Sequence, residues 1–99
     1  MTPMNTAQKI AAILKSRLHA SVVEIEDQSD RHAGHAGAAG GGGHYNVLIV
    51  SERFGGLPAI RRHRLVYEAL AAEMGSAIHA LSLRALAPDE WQASADRPQ

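Results

Sequence analysis

The stretch that decides the fold runs from residue 44 to residue 58 and has the sequence HYNVLIVSERFGGLP. Its first half, residues 44–50, alternates as a strand does and is apolar on both sides, which predicts a strand that is well covered. The turn that follows ends at Pro58, which suits the first turn of a helix because its missing N–H is not needed there. A strand is therefore expected to lead directly into a helix.

Downstream, residues 58–74 show helical spacing, and the expected apolar stripe comprises Ile60, Tyr67, Leu70 and Met74. Gly75 suits the position just past the end of this helix. A third strand is expected over residues 78–86. Its alternation puts four side chains on one face: His79, Leu81, Leu83 and Ala85. A short helix that begins near Pro88 and includes Trp91 follows.

Upstream, residues 6–19 have the apolar spacing of a helix, and Asn5 with Gln8 has the spacing of a capping box. Residues 21–27 then alternate with a period of two, typical of a strand with one wet face. The element order is α-β-β-α-β-α. We therefore expect an α+β fold in which helices cover one face of a three-stranded mixed sheet.

Composition limits the function. The 99 residues form one domain, expected over residues 1–93 with a frayed polar tail at 94–99. Ten basic and ten acidic residues cancel, so no overall field steers the chain onto nucleic acid or anionic lipid. The absence of cysteine excludes disulfides, thiol catalysis and an all-protein thiolate metal site. With neither a signal peptide nor a membrane-spanning run in view, a soluble cytoplasmic protein is expected.

The connection between the first two strands, residues 28–43, is unusually long for neighbouring strands. Its glycines lead into a strand rather than a helix and no lysine follows them, which disfavours a phosphate-binding loop. A flexible linker explains residues 40–43 well. His32 and His35 admit two interpretations that the residues alone leave open, namely solvated loop histidines or a metal ligand completed from elsewhere.

Catalytic signals are weak. The chain has no Gly-x-Ser-x-Gly motif and no cysteine nucleophile. Glu24 and Glu26 lie on the wet face of the first predicted strand, where paired carboxylates are ordinarily solvated. We therefore expect a protein that is not an enzyme.

Several short stretches, in order along nearly the whole chain, resemble BolA-like proteins. They are Asp27-Gln28-Ser29, His32-Ala33-Gly34-His35, His44-Tyr45-Asn46-Val47 leading to Val50-Ser51, Arg53-Phe54 with Gly56, Arg62-His63-Arg64-Leu65-Val66-Tyr67, Ile78-His79-Ala80-Leu81 and Pro88-Asp89-Glu90-Trp91. Each stretch alone is a weak signal. Their shared order is a strong one.

The resemblance implies a fold like the class II KH domain, which agrees with the predicted element order. It also implies a partner, a monothiol glutaredoxin, and a bridging [2Fe–2S] cluster to which glutaredoxin and glutathione supply thiolates. Matched onto this chain, the cluster ligands are His35 and His79. Apart from the resemblance, His32 is a candidate secondary ligand. His44 and His63 are candidates for site support or partner contact, and for His63 lining the same cleft, stabilising the structure and contacting a partner all stay open. An imidazole ligand makes such a cluster less negative and raises its reduction potential. The role implied is iron–sulfur cluster trafficking or iron regulation.

Two positions depart from the family pattern. Gly43 stands where the family usually has threonine before the strand histidine, which loosens the start of that strand. Ala87 replaces the threonine that caps the last helix, at a cost of roughly 1 kcal/mol. Neither position is a proposed ligand.

A competing interpretation is a DNA-binding transcriptional regulator, because KH-type folds bind single strands. Four arginines are candidate phosphate or partner contacts: Arg53, Arg61, Arg62 and Arg64. Against this, the Gly-x-x-Gly of KH domains joins two helices, whereas the sequence from Gly37 to Gly40 precedes a strand. Alone, the chain is expected to be a monomer or a weak homodimer formed through the sheet edge.

Overall fold

The computed structural model describes residues 5–28 and 43–95. Three helices and three strands follow one another in the expected order, with a short 3-10 helix at Glu52–Phe54. Their bounds are α1 Thr6–Leu18, β1 Val22–Asp27, β2 Gly43–Val50, α2 Ala59–Ala69, β3 Ile78–Leu86 and α3 Pro88–Ala95. The α+β prediction is confirmed.

The sheet is mixed, as predicted, and its strand order is β1-β2-β3. β1 pairs with β2 in antiparallel fashion, from Val22 opposite Val50 to Asp27 opposite Tyr45. β2 and β3 are parallel, and α2 forms the connection between them. Because parallel strands begin at the same edge, the starts of β2 and β3 lie side by side.

The core lies between one face of the sheet and the two longer helices. α1 packs against β1 and α2, and α2 packs against β3. Central strand β2 contributes alternate residues to this core, as the period of two predicts. The buried apolar side chains include Ile10, Leu14 and Leu18 from α1, Tyr45, Val47 and Ile49 from β2, and Phe54, Val66, Leu70 and Ile78.

Both ends of α1 follow from local sequence. The predicted capping box is present, since the Gln8 N–H donates to the Asn5 side chain at 2.8 Å and the Asn5 N–H donates to the Gln8 side chain at 2.9 Å. The helix ends at Leu18, and His19 takes a left-handed conformation with φ 51°. Such a residue commonly terminates a helix.

The apolar stripe expected on α2 is partly wrong. Ile60 is 69% exposed and Tyr67 is 38% exposed, whereas Val66 and Leu70 are fully buried. Neighbouring residues of a helix point about 100° apart, so Val66 and Tyr67 cannot both face the sheet. The helix turns Val66 inward and leaves its Ile60–Tyr67 side toward solvent.

α2 also ends earlier than expected, at Ala69 rather than Met74. The intervening chain turns to start β3 beside β2, with the Ile78 N–H donating to the Glu73 carbonyl at 2.9 Å. Gly75 occupies this turn at φ 83° and not the position after the helix. A positive φ of this kind favours glycine, because a side chain there is strained.

α3 begins at Pro88 and includes Trp91, as predicted. It extends to Ala95, two residues into the segment expected to be a tail, and residues 96–99 lie outside the described part. Within residues 5–28 and 43–95, no helix is long and apolar enough to cross a bilayer.

Candidate functional site

Two histidines lie together where the parallel strands begin. His44 is the second residue of β2, and His79 is the second residue of β3. His79 is exposed and His44 is partly buried. Since β2 and β3 are neighbours, this placement brings both imidazoles to one edge of the sheet.

A register shift determines where His79 points. Gly43 pairs with Ile78, but the next residue, His44, pairs with Ala80, so His79 is an extra residue in β3. Such a β-bulge re-aims a side chain locally. The expectation that His79 shares a face with Leu81 is therefore corrected, because the alternation of β3 is interrupted between Ile78 and Ala80.

The two imidazole rings are stacked. Their centroids are 5.4 Å apart and their planes differ by 24°. This distance lies within the range of roughly 4.5–7 Å favoured by aromatic pairs. From the sequence, His44 was not among the proposed ligands. The signal that could have identified the pair is that two neighbouring parallel strands each carry a histidine at their start.

The backbone around this histidine pair is held on both sides of β2. The Gln28 N–H donates to the His44 carbonyl at 2.8 Å, and the Gly43 N–H donates to the Ala77 carbonyl at 3.0 Å. The segment between residues 28 and 43 thus begins and ends beside the pair. Its predicted ligands, His32 and His35, lie outside the described residues.

The pair does not make a complete metal site with other described residues. Over residues 5–28 and 43–95, no three or more His, Cys, Asp or Glu side chains are grouped to hold a metal ion. A neutral imidazole nitrogen is nevertheless a good ligand for iron and other transition metals. An exposed imidazole such as that of His79 could therefore be one ligand of a set that another chain or segment completes.

His63 is not part of the stacked histidine pair. It is a partly buried residue of α2, and in the described part of the chain it makes no ring contact with His44 or His79. Its candidate roles, in lining the site, supporting the structure or contacting a partner, stay predictions.

Arg62 differs from the other three candidate arginines. Its side chain is 11% exposed and donates to the Leu57 carbonyl at 2.8 Å, the Ala85 carbonyl at 3.1 Å and both carboxylate oxygens of Glu90. These bonds tie α2 to β3 and α3. Arg62 is thus the arginine least available to a partner, whereas the others are exposed: Arg53, Arg61 and Arg64.

The same contacts define the start of α3. The hydrogen bonds from Arg62, followed by that from the Ala87 N–H, hold the pKa of the Glu90 carboxyl below its usual value of 4.5. The Ala87 N–H donates to Glu90 at 2.7 Å, half of a capping box. Glu90 thus satisfies the Ala87 N–H, whereas the Ala87 side chain offers no acceptor to the first turn of α3.

The element order and the mixed sheet place the chain among small α+β proteins with one helix-covered sheet face. Comparison with known families identifies one family within this class. The model of the family described as BolA-like protein matches residues 14–90. The chain belongs to this family.

Known relatives agree with this assignment. The chain is 41% identical over 83 residues to BolA-like protein 1 of Mus musculus, covering 84% of this chain and 58% of that protein. It is 33% identical over 93 residues to the DNA-binding transcriptional regulator BolA of Escherichia coli (strain K12), covering 94% and 86%. Neither name denotes a catalysed reaction.

The chain also matches one part of a larger protein. The chain is 41% identical over 87 residues to SufE-like protein 1, chloroplastic/mitochondrial, of Arabidopsis thaliana, covering 83% of this chain and 24% of that protein.

Among solved structures, BolA1 from Arabidopsis thaliana matches with a TM-score of 0.76 at 40% identity, covering 90% of this chain and 98% of that one. The chain thus spans little more than half of the mouse protein and a quarter of the SufE-like one.

Proposed function

We propose that this protein binds a monothiol glutaredoxin and contributes histidine ligands to a [2Fe–2S] cluster that bridges the two proteins. The observation that carries the proposal is the position of His79. Its imidazole is exposed at a sheet edge, is turned outward at a bulge, and lies where the segment bearing His35 begins and ends. His79 and His35 are the proposed ligands, and the partner and glutathione supply thiolates.

The described residues do not supply all the ligands that a cluster needs. A cluster iron needs more ligands than the described residues group together, so the remaining ones must come from outside this set. An exposed imidazole at an edge suits such sharing, because a second protein can approach it directly. The similarity of the chain to part of a SufE-like protein also favours a role beside iron–sulfur machinery.

The test is to assemble the heterodimer. The protein is mixed with a monothiol glutaredoxin, glutathione, ferrous iron and sulfide, and visible absorption and circular dichroism are recorded. We expect a heterodimer spectrum that differs from that of glutaredoxin alone, and His79→Ala and His35→Ala each to abolish the difference. His19→Asn is the matched control, because His19 is exposed and asparagine tolerates its positive φ.

A mixture without a heterodimer spectrum would refute the proposed function. A heterodimer spectrum that His79→Ala leaves unchanged would refute the ligand assignment. A loss equally large in His19→Asn would show that the change is nonspecific.

A second candidate function, DNA binding, is favoured by the exposed Arg53, Arg61 and Arg64 and by the relative named as a DNA-binding regulator. The test is duplex affinity measured against salt concentration. Each phosphate contact contributes about −0.9 to the slope of log affinity against log salt. If Arg61 and Arg64 contact phosphates, Arg61→Gln with Arg64→Gln reduces that slope by about 2. A slope that does not change would show that Arg61 and Arg64 do not contact phosphates.

A further inference from the structure

We propose that His44 is a positioning residue for His79. Its ring holds the His79 imidazole in one orientation in the free chain, before any partner binds. The inference rests on the proposed function, in which His79 is a cluster ligand, and it adds a second residue that does not itself bind the cluster.

The main chain of His44 is fixed on both sides, because its carbonyl accepts from the N–H of Gln28, the residue just after β1, and it pairs with Ala80 of β3. The preceding residue, Gly43, donates to the Ala77 carbonyl. The main chain that carries His44 is therefore part of the sheet, and the ring has a firm base.

The sheet does not fix the side chain of His79 in the way that it fixes the main chain of His44. It is exposed and is the unpaired extra residue of the bulge, so the sheet does not pack its ring from both sides. An exposed side chain ordinarily exchanges among staggered rotamers. The nearly parallel His44 ring, with a centroid separation of 5.4 Å, supplies a contact that selects one of them.

The size of the effect follows from the strength of such pairs. An aromatic pair of this geometry favours the stacked orientation about two- to twelvefold over unstacked ones. Residues that orient a ligand are a regular part of metal sites, and their loss weakens metal binding although they touch no metal. His44 acts through its ring face, whereas His79 acts through a ring nitrogen.

The first experiment uses the free protein and needs no cluster. Ring-proton NMR shifts of His79 are compared among the wild type, His44→Ala and His44→Phe. Phenylalanine keeps an aromatic face but has no ligating nitrogen. We expect the upfield ring-current shift of His79 in the wild type to persist in His44→Phe and to disappear in His44→Ala, while His63→Ala leaves it in place. Unchanged His79 shifts in His44→Ala would overturn the proposal.

The second experiment uses the heterodimer with monothiol glutaredoxin. The rate at which a chelator extracts iron is expected to rise about two- to twelvefold in His44→Ala and to match the wild type in His44→Phe. If His44→Phe retains the His79 shift but loses iron as fast as His44→Ala, His44 acts as a ligand, and the proposal is overturned. If the wild type forms no cluster, the proposed function fails, and the NMR comparison alone decides whether His44 orients His79.

Discussion

The two ends of the parallel strand pair are built in opposite ways. At the carboxyl ends, polar groups bond within the chain: Arg62 joins the Ala85 carbonyl and Glu90, and the buried Ser51 hydroxyl donates to the Leu18 carbonyl at 2.6 Å. At the amino ends, His79 is exposed on a bulge and stacked on His44. We call these the closed end and the histidine end.

The two ends differ in how far their polar side chains are engaged within the chain. Among the described residues, no buried side-chain nitrogen or oxygen lacks a hydrogen-bond partner. Satisfied polar groups of this kind hold elements together but leave little for a partner to bind. The histidine end instead presents the exposed imidazole of His79. We therefore expect substitutions at the closed end to lower the free energy of unfolding, and substitutions at the histidine end to change partner binding with little effect on stability.

The largest expected change in stability comes from breaking the closed end at Arg62. Arg62→Met keeps the aliphatic stem but removes the donors to Leu57, Ala85 and Glu90. We expect the free energy of unfolding to fall by about 2–4 kcal/mol, because partly buried acceptors lose a charged partner. Urea denaturation of the free chain measures this.

Arg61→Met is the matched control for that substitution. Arg61 is exposed and adjacent in sequence, so its replacement should change the stability by no more than about 0.5 kcal/mol. Equal losses in the two variants would show that Arg62 contributes only its charge to the helix and not the contacts at the closed end.

Ser51→Ala is expected to have the next largest effect. The Ser51 hydroxyl also accepts from the Arg53 N–H at 3.1 Å, so its removal leaves both that donor and the Leu18 carbonyl without this partner. A loss of about 1–3 kcal/mol is expected, again from denaturation curves. Ser82→Ala, at an exposed position in β3, is the control, and a loss as large there would contradict the interpretation.

His79→Ala tests the histidine end by the same measurement. Because the ring is exposed, we expect the free energy of unfolding to change by less than about 1.5 kcal/mol, mostly from the lost stacking. The same variant should lose the heterodimer spectrum. A large destabilisation would show that His79 supports the fold and would remove the contrast between the two ends.

The smallest expected effect concerns pH at the closed end. Arg62 and then the Ala87 N–H lower the pKa of Glu90 in the folded chain below 4.5. Ionised Glu90 therefore contributes stability that is fully present above pH 4.5 and is lost as the pH falls through the lowered folded value. Wild type should melt at a higher temperature than Glu90→Gln at pH 7, and the difference should shrink below pH 4.5. A difference independent of pH would contradict this.

Much of the fold could be predicted because its signals are local. The capping box at Asn5 and Gln8 lies within one turn of chain, and the strand period shows directly in residues 44–50. β3 was expected over residues 78–86 and is found at Ile78–Leu86. The buried side of α2 was harder to predict, because its apolar residues are compatible with more than one face toward the sheet.

The candidate site was only partly predictable. His79 was selected through the family resemblance, but alternation placed it on the face of Leu81 and Leu83. His35 and His32 remain predictions, because they lie outside the described residues. The sequence did not indicate that Arg62 forms internal hydrogen bonds, because it is one of several arginines between residues 53 and 64.

The amino-acid sequence by itself determined the order of the elements and the ends of α1 and β3, because periodicity and caps act over a few residues. Only the tertiary structure decided that His79 turns outward onto His44. That outcome depends on Gly43 pairing with Ile78 while His44 pairs with Ala80, an offset of one residue between strands far apart in the chain. Neither strand alone encodes such a register, because hydrogen bonds and packing between the two strands select it.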